Sequence, residues 1–385
     1  MRKNIPYGRQ RILEEDIDAV VDTLKSDFLT QGPKVKEFEE NFARYIGSKY
    51  AVAVANGTAA LHLSVLSLGI KKGAKVITSP LTFVATANAV LYAGGEIDFC
   101  DIDPNTLLID INLLRKKLSD APKGTYCGII PVDFAGASIQ MDEFKSLADE
   151  YNLWLLEDAC HAPGGYFFNS SKVKNNCGNG NYADLAIFSF HPVKHIAAGE
   201  GGMITTNDFK LYKKLLTLRT HGINKSTEEI EKNHEDWYYE MQELGYNYRL
   251  NEISCSLGIS QLNRAEEELF KRNQIARSYF EAFKNISEIQ LMNENLEGHA
   301  FHLFIIKTKK RNKLYEYLKS KNISPQIHYI PVHLQPYYQN IGFNHGDYPI
   351  VEDYYQDCIT LPLFPSLTEE EIKYIISVVK SFFYE

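Results

Sequence analysis

The chain has 385 residues, 44% of them apolar, enough for one large core and a smaller one, so two domains are expected. A formal charge of -8 argues against a nucleic-acid partner, because phosphate backbones call for a positive excess. No apolar run approaches the roughly 18 residues that cross a bilayer, and the opening MRKNIPYGRQRILEEDIDAV has no hydrophobic segment behind its basic residues, which predicts a cytoplasmic protein.

In chain order, a short polar arm holding Tyr7 precedes EEDIDAVVDTLKS (14–26), where Ile17, Val20, Val21 and Leu24 recur on one helical stripe. KYAVAVANGTAALHLSVLSLG (49–69) reads as a buried strand, a turn at Asn56-Gly57 and a helix carrying Leu61, Val65 and Leu68. The strand and helix pattern recurs in AKVITS with TFVATANAVLYAG, in EIDFCDID, in GIIPVD with MDEFKSLADEY, in LWLLEDA, in DLAIFSF, and in GMITTN with a long helix after it. Between them FFNSSKVKNNCGNGNY (167–182) predicts a long, mobile turn or hairpin on the surface. Short apolar strands alternating with helices predict an α/β fold: a mostly parallel sheet covered on both faces, with ligands at the carboxyl ends of its strands. After about residue 265 the texture changes. HLFIIKTKKRNKLYEYLKSKNISPQIHYIPV (302–332) reads strand, helix, strand, and LTEEEIKYIISVVKSFF (367–383) is a helix with a Ser/Thr cap and an acidic first turn. The expected division is an arm and large domain over 1–265 and a small α/β domain over 266–385. The six cysteines lack CxxC or dense spacing, which predicts reduced, structural thiols and no metal site.

Four segments place polar residues at strand tips. In NGTAA (56–60) the amides of Gly57, Thr58 and Ala59 and the Thr58 hydroxyl suit a phosphate at a helix N-terminus, or serve only as a cap. Asp158 ends the apolar strand of LWLLEDACHA, where it needs a partner: a cationic ring nitrogen, or the next helix. His161 is either a satisfied core histidine or a group reaching the same ligand. Phe83 is a core aromatic or a stacking face for a flat ring. Ser189 precedes Lys194 by five residues in FSFHPVKHIAAGEGG, so a strand ending there aims both at one place. Together these residues fit pyridoxal 5'-phosphate. That cofactor needs a lysine to bind it covalently, a carboxylate to keep its pyridine nitrogen protonated, an aromatic against its ring and hydroxyl-rich turns for its phosphate. The 36 residues from Asp158 to Lys194 leave room for a hairpin and one more strand. An apolar pocket and a nearby pyridinium would also depress the lysine's pKa, as an amine nucleophile requires. A nicotinamide oxidoreductase fares worse, since GEGG (199–202) precedes a strand and no GxGxxG opens the first unit. A noncatalytic binder or regulator would not need the Asp158, Ser189 and Lys194 set.

NGTAAL, TFVATANAV, EDACHAPGG, FSFHPVKHIAAGEGGMITTND, RTHGI and LGYNYRLNEI, in that order over essentially the whole chain, resemble the DegT/DnrJ/EryC1/StrS family of sugar aminotransferases. Within it, SFHPVK, WYYEMQELGYNYRLNE and PQIHYIPVHLQPYY are similar to the branch that aminates UDP-2-acetamido-2,6-dideoxy-β-L-arabino-hex-4-ulose at C4 in pseudaminic acid biosynthesis. A sister enzyme making another 4-amino or 3-amino sugar is the alternative. The resemblance implies fold type I, L-glutamate as amino donor, and a homodimer with its active site at the subunit interface. It implies that Lys194 holds the cofactor, Asp158 pairs with the ring nitrogen, Phe83 covers the ring and His161 reaches the ring hydroxyl. It assigns Gly57, Thr58 and Ser189 to the phosphate, with Asn247 coming from the partner subunit. For the sugar nucleotide it points to Tyr7, to Asp27, Phe28, Leu29 and Thr30, and to Gln326, Ile327, His328 and Tyr329, with Gly57, Ser189 and Asn247 also on that side. Arg249 and His221 read equally as neighbours of the site or as structural residues. Dehydrating relatives carry histidine in place of the lysine; the offset from Ser189 puts Lys194, and not His195, in that position. The Asn-rich hairpin and the two alanines of HIAAGEGG depart from the family pattern, and both bear on sugar recognition.

Overall fold

The computed structural model describes residues 4–224, 235, 237–292 and 297–384. Two helices lead in, α1 (Glu14–Leu24) and α2 (Pro33–Ile46). Nine strands follow: β1 (Tyr50–Val54), β2 (Lys75–Thr78), β3 (Glu96–Phe99), β4 (Tyr126–Ile130), β5 (Trp154–Asp158), β6 (Tyr166–Phe168), β7 (Lys174–Asn176), β8 (Leu185–Ser189) and β9 (Gly202–Thr206). All but β6 and β7 form one sheet in the order β1–β9–β8–β5–β4–β2–β3. Only β9 runs antiparallel to its neighbours. The sheet is therefore mostly parallel, and its apolar runs are buried because helices cover it. Val52, Val54, Leu156, Ile187 and Ile204 lie in its core. Helices α3 (Gly57–Ser67) and α4 (Val84–Tyr92) follow β1 and β2, so their N-termini open at the carboxyl edge.

A second core gathers Phe283, Phe304, Ile306 and Ile359 around a three-stranded antiparallel sheet of Gln290–Leu291, Phe304–Lys307 and Cys358–Leu361. Ile5 joins it, because the arm pairs with Asn322 and Ser324. The last helix, Glu369–Tyr384, opens on a capping box: Thr368 Oγ1 accepts from the Glu371 amide and Glu371 accepts from the Thr368 amide.

Three expectations change. The stretch after the helix Arg311–Ser320 is not a strand; it makes only isolated bridges, Ile323 with Ile5 and Gln326 with Thr360, and Cys358–Leu361 supplies the strand instead. Pro325 and Pro331 bracket the stretch and lack amide hydrogens, which prevents a continuous ladder. The Asn-rich segment is a hairpin, β6 on β7, yet its return is buried rather than on the surface. Asn175, Cys177 and Asn179 are enclosed, and the Gly178 amide is held by Glu157. On α1 the buried residues are Asp16 and Thr23, while Ile17 and Leu24 are exposed. Asp16 faces inward because Arg264, Gln261 and Ser260 all bond its carboxylate.

Loop 27–32 is tied down from a distance. Glu252 is buried at the start of the helix Glu252–Leu262, and its carboxylate accepts the amides of Gly32 (2.9 Å), Lys34 (2.7 Å) and Val35 (3.3 Å), capping α2. Its own amide donates to Leu29 O at 3.0 Å. Glu252→Ala orphans these amides, so chemical denaturation is expected to show a loss of roughly 1–3 kcal/mol, with Glu252→Gln losing less.

Candidate active site

The carboxyl edge of the large sheet encloses a cavity of about 480 Å³. A larger hollow of about 780 Å³ lies elsewhere, beside Tyr45 and Phe270, so size does not single out this one. Its chemistry does. β5 delivers Asp158, and the parallel neighbour β8 places Ile187 opposite it, two residues before Ser189. The chain leaving β8 therefore passes Asp158 and turns Lys194 into the same space.

Asp158 is buried, and its Oδ2 accepts from Thr86 Oγ1 at 2.8 Å; Thr86 in turn contacts Thr82 Oγ1 at 2.9 Å. Its Oδ1 accepts the Cys160 amide at 3.2 Å. At the mouth of α3, Asn56 Oδ1 caps the Ala59 amide, which leaves the amides of Gly57 and Thr58 as first-turn donors facing the cavity. Glycine at 57 keeps Ser189 in place, since a Cβ there would sit 3.0 Å from Ser189 Cβ and 3.3 Å from its Oγ. Phe83 lines the cavity with 57% of its surface exposed, an unusual position for a core phenylalanine.

His161 has a determined tautomer. Its Nδ1 accepts the Ala135 amide at 3.2 Å, so Nε2 carries the hydrogen, and it meets Tyr329 Oη at 3.3 Å. Burial, then the charges of Lys194, His328 and His195, push its pKa well below the usual histidine value. His161 is thus a neutral donor. The same burial lowers the amine of Lys194; Cys160 and Asp158 oppose that shift and Arg272 adds to it.

The cavity brings together Tyr7, Gly57, Thr58, Phe83, Asp158, His161, Ser189, Lys194, His328 and Tyr329. The other expected residues lie outside it. Asp27, Phe28, Leu29 and Thr30 are exposed on the loop after α1, where Thr30 pairs with Asn251. Asn247 is exposed and pairs with Thr220. Gln326 is exposed beside Thr360, and Ile327 packs into the core. Arg249 and Thr220 border a different cavity of about 490 Å³. His195 turns away from the site, with Nε2 on Ala300 O at 2.8 Å. Sequence reading missed Thr82 and Thr86; their spacing of one helical turn at the start of α4 was the available signal.

This architecture is that of an α/β aminotransferase. It superposes on Helicobacter pylori PseC, an aminotransferase involved in pseudoaminic acid biosynthesis, with a TM-score of 0.88 at 30% identity over 99% of each chain. A sugar aminotransferase of Streptococcus pneumoniae in its PLP form gives 0.87 at 29% identity over 98% of each chain. The model of the DegT/DnrJ/EryC1/StrS aminotransferase family matches residues 10–380, and the chain belongs to that family. In sequence it is 37% identical to the UDP-4-amino-4,6-dideoxy-N-acetyl-beta-L-altrosamine transaminase of Campylobacter jejuni, over 96% of this chain and 95% of that one. It is also 37% identical to the spore coat polysaccharide biosynthesis protein SpsC of Bacillus subtilis, over 98% of this chain and 96% of the other.

A lysine whose pKa is lowered presents more free amine near neutrality than its neighbours do. Amine-directed labelling of ligand-free protein, read by peptide mass across pH, is expected to give Lys194 a midpoint below the ordinary lysine value. A midpoint at that value would contradict the burial described.

Proposed function

We propose that this sugar aminotransferase uses pyridoxal 5'-phosphate to move the amino group of L-glutamate to C4 of UDP-2-acetamido-2,6-dideoxy-β-L-arabino-hex-4-ulose. The product would be UDP-4-amino-4,6-dideoxy-N-acetyl-β-L-altrosamine for pseudaminic acid biosynthesis. The observation that carries the chemistry is the convergence of Lys194, Asp158, Phe83, Ser189 and the α3 N-terminus on one cavity. The substrate rests on the likeness to the Campylobacter jejuni transaminase.

The residues fit the cofactor. Gly57 leaves room beside Ser189 for a phosphate that the Gly57 and Thr58 amides and the Ser189 hydroxyl would bind. Phe83 offers a bare ring face, and Asp158 would keep the pyridine nitrogen protonated while Thr86 holds its second oxygen. His161, a neutral Nε2–H donor, suits a ring oxygen. Bound there, pyridoxal phosphate supplies a cationic conjugated ring that stabilises the electron pair left when a Cα–H bond breaks. Lys194 is the base of that step: its free amine takes the α-proton of glutamate and, in the second half-reaction, returns a proton to C4 of the sugar. Tyr7, His328 and Tyr329 form the wall where the sugar would enter.

Asn247 and loop 27–30 lie away from this cavity, which is consistent with their serving the cavity of a second copy. Ile17, Leu24, Phe28, Leu29, Trp237 and Leu244 leave apolar surface exposed that such a homodimer would cover. The expected location is cytoplasmic, where nucleotide sugars are made. No described helix is long and apolar enough to cross a membrane. A sister activity is favoured by the equal identity to SpsC, a protein of spore coat polysaccharide synthesis, and would place the amine on a different keto sugar.

The deciding assay incubates the enzyme with glutamate and epimeric 4-keto UDP sugars and reads the product by NMR; amination of only a different sugar selects the sister activity. Lys194→Ala is expected to abolish both half-reactions. Thr86→Val removes a hydrogen bond to a charged group and is expected to weaken cofactor affinity, measured by equilibrium dialysis, roughly ten- to a hundredfold.

A further inference from the structure

Directly behind Asp158 lies a second acidic group that the proposed mechanism does not use. Glu157 precedes Asp158 on β5, and its side chain points to the opposite face of the sheet, toward Asp133 and Cys177. Asp133 is 0% exposed, Glu157 3% and Cys177 1%, and a ligand atom from each lies within 4.8 Å of the others. Glu157 Oε1 accepts the Gly178 amide at 2.9 Å, and Asp133 Oδ1 accepts the Ile139 amide at 3.0 Å. Asp133 Oδ2 is buried with no hydrogen-bond partner among the described residues. Two ionised carboxylates are acceptors only, so neither can satisfy the other. One proton turns the contact into a strong hydrogen bond.

We propose that Glu157 and Asp133 form an acid–carboxylate pair sharing a single proton at neutral pH, with Glu157 donating to Asp133 Oδ2, and that this bond positions the loop beneath the active site. The loop over residues 131–139 bears on both polar groups at the floor of the cavity. The Asp133 amide donates to Asp158 O at 3.1 Å, the Asp158 amide donates to Pro131 O at 2.9 Å, and the Ala135 amide sets the tautomer of His161. Ala135 sits at φ 59° and Gly136 at φ 97°, so the loop turns through a conformation that a non-glycine residue adopts only when its surroundings hold it. Asp133 is the side chain that anchors that turn to β5.

The electrostatics agree with the geometry. Burial, then repulsion by Asp133, holds Glu157 far above the ordinary carboxyl range; burial raises Asp133, with Asp158 adding to it. Asp158, Cys177 and Cys160 are the other titratable groups facing the pair. A divalent cation in place of the proton would need Cys177 as a thiolate, and burial with the two neighbouring carboxyls pushes that thiol up, away from the form a metal takes.

The sign of the pH dependence follows from linkage. Above the ordinary carboxyl range the unfolded chain has lost both protons while the folded chain keeps one, so the pair's contribution to stability falls as pH rises from acid toward neutrality. Glu157→Gln can donate an amide hydrogen to Asp133 and has no proton to lose. Thermal unfolding across pH is expected to show Glu157→Gln as stable as the wild type or more so, with its relative advantage widening as pH rises, whereas Glu157→Ala is less stable throughout. Infrared spectra of the purified protein at neutral pH are expected to show a protonated-carboxyl stretch that Glu157→Gln removes. The proposal is overturned by equal destabilisation of Glu157→Gln at every pH, by absence of that stretch, or by a stoichiometric metal that the variant loses. Neither readout needs cofactor or sugar, so their failure leaves the transaminase reading standing.

Discussion

A carboxyl group buried at the end of a central strand is the constraint on which the rest of the site depends. Asp158 cannot be enclosed without partners, because desolvating it unpaired would cost more than one strand's packing returns. Thr86 and the Cys160 amide hold its two oxygens, and the parallel register with β8 brings Ser189 and Lys194 alongside. The cavity's polarity is thus a consequence of sheet topology. Parallel strands end on one edge, and the residues just past those ends are the ones that can converge.

The layers behind that edge repeat the same requirement. The loop over 131–139 both braces the backbone of Asp158 and directs His161, and the loop in turn meets the return of the β6–β7 hairpin, where Cys177 Sγ donates to Ser138 Oγ at 3.1 Å. An exposed Asn-rich insertion would have been free to vary in position. Enclosed as it is, its Gly178 amide and Cys177 become part of the layer behind the site, against Glu157 and Asp133.

Much of this was legible in the sequence, and the exceptions have physical causes. Alternating apolar strands and helices foretold the mostly parallel sheet, because burial on both faces leaves continuous apolar runs. The residues at strand tips were legible because their spacing, Ser189 to Lys194 and Asp158 to His161, is local. Glu252 and the Asp133–Glu157 contact were not, since each partner is remote in sequence and nothing in a single segment announces it; Thr86 showed only its spacing from Thr82, and not its bond to Asp158. Residues 323–332 misled because apolar alternation there resembles a strand, while Pro325 and Pro331 remove the amides a ladder needs. The stripe on α1 misled in another way: Arg264 recruits Asp16 inward, so Ile17 and Leu24 are left facing out while Val20 and Val21 are only half-buried. Asn247 and loop 27–30, which the resemblance assigns to the ligands, are exposed and stand apart from the cavity of their own chain.

The central claim is that Lys194 is the residue that holds the cofactor. Borohydride reduction of the purified protein followed by peptide mapping tests it most directly. The account predicts one modified peptide, containing Lys194 with a reduced pyridoxyl group, and none in Lys194→Ala. Label on another lysine, or no label in a protein that still transfers the amine, would contradict it.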